Sequence, residues 1–499
     1  MKALADISDS YIINSKVFYL LGIMVVVPIH FYLNSMDFWM FKFKPPPPGP
    51  NHPPGPPPPR GRITPSTQVF NYFNKELTTK HPEIKYNSED TTSSFRAHED
   101  LIYHVLNNDN SYQAKTPAKE LLQIYPIQLQ GSVIINSTTT SPDQRTPFQA
   151  NFVVAFSINF KVVLLGSLLF CTMWPKKLPP PERRLKLCLT ALCILFSVVT
   201  LLTQIDTEKE QTLFFVGSMI FATMLNCFTG LALASLYELI TKFPCSYYAS
   251  LQSGNNICGI LSAVLQIILL SFRLRPNENG AIQFSVGCFI LIFTTIYYFV
   301  VFKNSKYFIY RIDTNHEDQR NLSTAEWMQI IPKTKWFYAT IIFVEGTTHI
   351  VYPGLAALVV TPLRGTLWRD VYFVPVVTYL GYQVCCLIGR ESARIVKTPK
   401  TGLILFILSA IRIVFVPLLI FCNAQPRKHL PVLFGNTTYI ILLSIFAFSE
   451  GILINTTIVA IPKKLKQDEK VAAMIMVPLI STITLTMATG LNIFLTNII

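Results

Sequence analysis

"FAFSEGILINTTIVAIPKKLKQDEKVAAMIM", residues 446–476, passes from an apolar run through a lysine-rich turn into a second apolar run. Lys463, Lys464, Lys466 and Lys470 crowd the turn. The runs on either side, 434–461 and 471–496, each exceed the roughly 20 mainly apolar residues a helix needs to cross hydrocarbon. This pattern of oil, cations and oil recurs along the chain. Further runs lie at 13–40, 151–174, 186–205, 211–241, 246–272, 281–302, 337–361, 371–393 and 401–423, giving eleven candidate transmembrane helices. Composition agrees: 51% of the 499 residues are hydrophobic and 14% charged, against roughly 25% charged in soluble domains. The fold class expected is an all-α polytopic membrane protein.

The net charge of +14 is carried by short connectors and not by a basic stripe, so nucleic acid is not an expected partner; the lipid bilayer is. With the N-terminus inside, the inner connectors hold twenty-two Lys and Arg and the short outer ones seven. That bias sets a cytosolic N-terminus and an extracellular C-terminus. The first apolar run is long enough to remain as an uncleaved anchor. The ten cysteines fall in or at the ends of spans and imply no disulfide framework.

Six regions follow. Residues 1–12 form a cytosolic N-terminus and 13–40 the first span. Residues 41–150 form a long extracellular loop opening with "PPPPGPNHPPGPPPPR", a composition suited to an extended polyproline II spacer. Residues 151–302 carry spans 2 to 6, 303–336 a cytosolic connector, and 337–499 the C-terminal bundle of spans 7 to 11. Asn136 and Asn436 lie in sequons on the outer face, where glycosylation is expected; Asn321 faces the cytosol and stays bare. Six spans before a break and five after suit a carrier whose two bundles rock around a central site.

Polar chemistry inside the spans is sparse and therefore informative. Ser246, Ser250, Gly254, Cys258 and Ser262 make a small-residue stripe suited to close helix packing. Lys161, Glu238, Glu345, Arg412 and Glu450 are ionisable groups at a depth where a charge costs roughly 2.5 to 3.5 kcal/mol, so each should find an ion-pair partner, carry a proton or reach an interface. The chain carries no HExxH, no phosphate loop ending in GK[ST], and no Cys or His pair at zinc spacing; neither enzyme, cofactor nor metal is expected.

Several stretches together resemble the equilibrative nucleoside transporter family: "YLGYQVCCLIGRESARIVKTPKTG" (379–402), "IRIVFVPLLIFCN" (411–423), "NCFTGLALASLYELITKFPCSYYASLQSGNNICG" (226–259) and the opening stretch. The resemblance implies eleven helices in a six-plus-five, major-facilitator-like arrangement, carrying nucleosides or nucleobases down their gradients without ATP. It also implies site residues. In that family an eighth-span D-x-x-G-R places Asp and Arg four apart on one helix face, where both reach sugar hydroxyls. Here Arg390 keeps the arginine and Cys386 takes the aspartate position. Ile29 and His30 follow Pro28 where the family has Trp-Asn, Leu233 stands for a base-binding glutamine, and Glu450 for an asparagine.

The expected function is facilitative transport of a nucleoside-like solute by a monomer of the plasma membrane, with Arg390, Cys386, Leu233, Ile29, His30 and Glu450 lining the site. Two alternatives stand beside it. The same fold could carry an organic cation or amine, with proton linkage through its buried glutamates, or the chain could be a receptor or scaffold displaying its proline-rich loop. A lysosomal or other internal membrane is the alternative location.

Overall fold

The computed structural model describes residues 2–43 and 147–498, apart from 175–176, 206–209, 273, 315–323, 363–365, 397, 400 and 426–429. The proline-rich tract, Asn136 and Asn321 lie outside the described residues.

The described residues are helical throughout, with isolated bridges and no strand among them. Each of the eleven apolar segments contains helix. The first group comprises α1 (Lys2–Asn34), α2 (Met36–Lys42), α3 (Pro147–Met173), α4 (Pro181–Leu202), α5 (Gln211–Ile240), α6 (Ser246–Ser271), α7 (Pro276–Asn304) and α8 (Lys306–Thr314). After it come α9 (Thr324–Val351), the single turn α10 (Gly354–Ala357), two π-helical stretches (Trp368–Tyr372 and Val374–Gly381), α11 (Tyr382–Ser392), α12 (Leu403–Ile411), α13 (Phe415–Ile420), α14 (Asn436–Ala460) and α15 (Gln467–Ile498). Among the described residues, seven helical stretches are long and apolar enough to cross a membrane on length and composition, including Gln211–Ile240 and Asn436–Lys464; Lys16–Tyr32 and Ile158–Met173 are shorter apolar helices. Exposed Ile158, Val162, Phe289 and Ile407 present the apolar outer surface that lipid requires.

Departures from straight helix have local causes. The first run breaks at Ser35, whose hydroxyl donates to Phe31 O at 2.8 Å and meets Gln283 Oε1 at 2.7 Å instead of leaving α1 uninterrupted into α2. Pro417 cannot donate to the carbonyl four residues earlier, and a 3₁₀ turn at Arg412–Val414 divides α12 from α13 just there. Pro375 sits in the π-helical stretch Val374–Gly381, where its missing N–H accompanies the widened turn that leads into α11. The helix expected from residue 337 already begins at Thr324 and carries Pro332 inside it.

Burial distinguishes the two ends of the bundle. Around the ends of α9, α14 and α15 that carry Ile330, Phe337, Ile461 and Met474, side chains from both groups merge with Phe18, Tyr247 and Phe308 into one apolar core. The opposite part of the second group closes a core of its own, built on Leu355, Phe373, Cys422 and Leu443.

Candidate functional site

Two glycines set the geometry of the site. A Cβ on Gly389 would strike Phe448 O of α14, and a Cβ on Gly451 would strike Cys386 O of α11. With hydrogen in both places the two backbones touch, as at small-residue crossings in membranes. The crossing sets Arg390 of α11 beside Glu450 of α14: Nη2 lies 3.7 Å from Oε1. Asn455 Nδ2 ties the same helices together by donating to Arg390 O at 2.7 Å.

Arg390 is 7% exposed and reaches both helix groups. Its Nη1 donates to the backbone carbonyl of Gln252 on α6 and, at 2.9 Å, to Gln252 Oε1. Gln252 Nε2 in turn donates to Tyr237 Oη of α5 at 2.6 Å. On the other side Glu450 Oε2 accepts from Tyr382 Oη and, at 3.4 Å, from Thr348 Oγ1. Thr348 Oγ1 also receives Arg412 Nη2 at 3.2 Å. A single polar chain thus runs from Tyr237 through Gln252, Arg390 and Glu450 to Arg412. In hydrocarbon such groups persist only when partnered, and one donor here has none: the buried Arg390 Nε meets no acceptor among the described residues.

A second cluster joins the groups at the C-terminal end of α11, at Glu391 and, just past the helix, Arg394. Glu391 Oε1 accepts from Tyr19 Oη at 2.9 Å and Ser253 Oγ at 2.5 Å. Arg394 pairs with Glu391 at 2.7 Å and donates to Tyr19 Oη at 2.7 Å and Ser250 Oγ at 3.2 Å. Gly22 and Gly254 allow α1 and α6 to touch beneath it, each lying where a Cβ would meet the other helix's backbone.

Of the residues singled out from sequence, the structure brings Arg390, Cys386 and Glu450 together; the Cys386 thiol lies against the guanidinium and against Asn256. Leu233 is half-buried one turn before Tyr237 on α5, and Ile29 and His30 are half-buried on α1; none of the three joins the polar chain. Glu238 is paired with Arg184 at 2.6 Å and both are buried. Glu345 meets His349 at 3.3 Å. Arg412 is 2% exposed and satisfied by Ser449 Oγ, Val344 O, Thr347 Oγ1 and Phe446 O, with its guanidinium 4.2 Å from the Phe446 ring centre. Lys161 is half-buried with no hydrogen bond or ion pair among the described residues. Asn436 opens α14 and its Nδ2 donates to Thr361 Oγ1 at 2.5 Å. The carboxylates on which an amine reading rests are therefore already engaged within the protein.

Sequence reasoning missed Tyr237, Tyr382, Thr348 and Tyr19, which look like ordinary span residues. Tyr352 was missed as well: its ring stacks on Tyr382 at 3.8 Å between centres, an aromatic surface beside the polar chain.

A family model described as Nucleoside transporter matches residues 219–329 and 311–494. The rat protein equilibrative nucleoside transporter 1 is 26% identical over 321 residues, 58% of this chain and 70% of that protein. Human equilibrative nucleoside transporter 2 is 22% identical over 370 residues, 64% of this chain and 80% of that one. Among solved structures, the E. coli fucose:proton symporter aligns with a TM-score of 0.43 and 14% identity, covering 70% of this chain and 90% of that one.

Proposed function

Because this chain belongs to the nucleoside transporter family, we propose that it carries nucleosides or nucleobases across a membrane by facilitative alternating access, and that Arg390 is its principal substrate contact. The observation that carries the reading is the position of Arg390, buried and bonded to Gln252 of one helix group while facing Glu450 of the other. A solute held there touches both groups, so rocking them exposes it to either side in turn. The free Nε donor suits a hydroxyl or carbonyl oxygen, which gains a charge-assisted hydrogen bond in a site short of water. The Tyr352 ring supplies an aromatic face for a base in place of the tryptophan that the resemblance sets where Ile29 stands. Cys386, Leu233, Ile29 and His30 complete the lining as uncharged walls.

The arrangement is closed at the end where Glu391 and Arg394 hold Tyr19, Ser250 and Ser253. Under the positive-inside orientation this end is cytosolic, so the closed end faces the cell interior and cargo enters from outside. The cell's outer membrane is the proposed location, with residues 41–150 extracellular and Asn136 glycosylated. Transport is equilibrative: cargo runs down its own gradient.

Uptake of labelled adenosine, uridine and hypoxanthine in transporter-null cells tests the reading. Saturable uptake that is accelerated by unlabelled nucleoside on the opposite side, and that survives collapse of the proton gradient, is expected. A surface-expressed protein giving no uptake above control for any of the three sinks it.

A further inference from the structure

The transport reading leaves the role of Glu450 open: it could touch cargo directly, or act through Arg390. Its two oxygens decide. Oε2 is occupied by Tyr382 Oη and Thr348 Oγ1, and Oε1 faces the Arg390 guanidinium. A carboxylate with one oxygen taken by two hydroxyls and the other turned toward its own protein's guanidinium has little left to offer a solute. The Nη2 to Oε1 distance of 3.7 Å, however, exceeds the roughly 2.7 to 2.9 Å of a charge-assisted hydrogen bond. In this state the short bonds of Arg390 go instead to Gln252.

The helices sort these partners into two bodies. Gln252 sits on α6 of the first group. Glu450 sits on α14, which is locked to α11 through the Gly389 and Gly451 crossing and through the bond from Asn455 to Arg390 O. When the groups part at the Arg394 end, α11 leaves α6 and Arg390 loses both Gln252 bonds, whereas Glu450 travels with it. A desolvated guanidinium stripped of partners is heavily penalised, so the opened state depends on the carboxylate that stays. Glu345, on the neighbouring α9, is engaged by His349.

We infer that Glu450 is a positioning residue for Arg390 and not a cargo contact, and that Arg390 exchanges Gln252 for Glu450 as the bundle opens. The inference rests on the carrier reading and adds a partner exchange to it. Losing the Glu450 charge slows the opening step and leaves cargo binding in the closed state nearly untouched. A carboxylate restored on the same helix, one turn before Arg390 at position 386, serves the same purpose because the Cys386 side chain already lies against the guanidinium.

Labelled uridine exchange across proteoliposomes is the test, comparing wild type, Glu450→Gln, and Glu450→Gln combined with Cys386→Asp. The single variant is expected to lose tenfold or more in maximal rate with KM changed less than threefold, and the double variant to recover at least a third of the wild-type rate. A raised KM at unchanged maximal rate, wild-type kinetics, or no recovery in the double variant overturns the inference. A cargo-free measurement separates this from the carrier reading. In melting temperature of the purified protein, Gln252→Ala and Glu450→Gln are expected to cost more together than the sum of their separate losses, because together they remove both the side-chain oxygen that Arg390 bonds and the carboxylate that it faces, leaving it the Gln252 backbone carbonyl. Additive losses overturn the partner exchange, whereas coupled losses in a protein that moves no nucleoside fail the carrier reading alone.

Discussion

Arg394 Nη2 donates to Tyr19 Oη at 2.7 Å, joining the turn that follows α11 to α1 across 375 residues of chain. The same tyrosine donates to Glu391, which also holds Ser253. Three helices therefore meet on one carboxylate, and under the proposed alternating access its hydrogen bonds are what holds that end shut. Glu391→Ala removes two hydrogen bonds to a charged acceptor, each worth about 1.5 to 3 kcal/mol. The closed state is expected to lose at least tenfold in population relative to the open one, since about 1.4 kcal/mol is a factor of ten. A cysteine placed at Ala249, buried in this structure, should then react at least several-fold faster with a thiol reagent supplied from the Arg394 side. Unchanged labelling would show that the cluster does not gate.

Arg390→Lys is the second prediction. The lysine keeps the charge but loses the planar fork that serves Gln252 and Glu450 at once, together with the spare Nε donor. Nucleoside uptake is expected to fall more than tenfold at wild-type surface expression. Arg390→Ala leaves Glu450 buried without its cation, and the purified protein should lose about 3 to 5 kcal/mol of stability as well. An Arg390→Lys protein with normal uptake would remove the guanidinium from the mechanism.

Helices were legible in the sequence because length and apolarity alone determine whether a run can span oil, and those properties are local. The charges were legible as costs for the same reason. Their partners were not, because pairing depends on which helices cross and how each is rotated. Arg184 reads as one more cation in an inner connector, yet α4 begins at Pro181, so Arg184 falls in its first turn and reaches Glu238 of α5. Glu450 reads as a newly introduced acceptor for cargo; only the close helix crossing that Gly389 and Gly451 permit reveals that it faces Arg390. The Ser35 break and the π-helical turns around Pro375 were hidden within segments long enough to read as single spans.

The glycine crossing gives the third prediction. A side chain at Gly451 must push against the Cys386 carbonyl and the Arg390 backbone nitrogen, and backbone cannot move aside as a flexible side chain can. Gly451→Val should cost about 1 to 3 kcal/mol or more through overpacking and separate Arg390 from Glu450. Uptake and melting temperature should drop together. At Gly166, where an added Cβ meets nothing within 4 Å, the same substitution is expected to leave both within error, which controls for a general effect of valine in these helices.

The buried pair of Arg184 and Glu238 gives the last prediction. The ions are 2.6 Å apart with side chains 5% exposed, and Arg184 Nε also donates to Ser235 Oγ. The pair joins α4 to α5 within the first group and does not reach Arg390. A structural role predicts an asymmetric result. Glu238→Ala strands a buried guanidinium and should cost about 3 to 5 kcal/mol, whereas Arg184→Met with Glu238→Leu exchanges the ions for apolar volume and should restore most of that stability. Folded double-variant protein should transport uridine with a wild-type KM, because no charge has been removed from the cargo route. If the stable double variant instead abolishes transport or confers pH dependence absent from wild type, Glu238 belongs to the transport chemistry and the purely structural assignment fails.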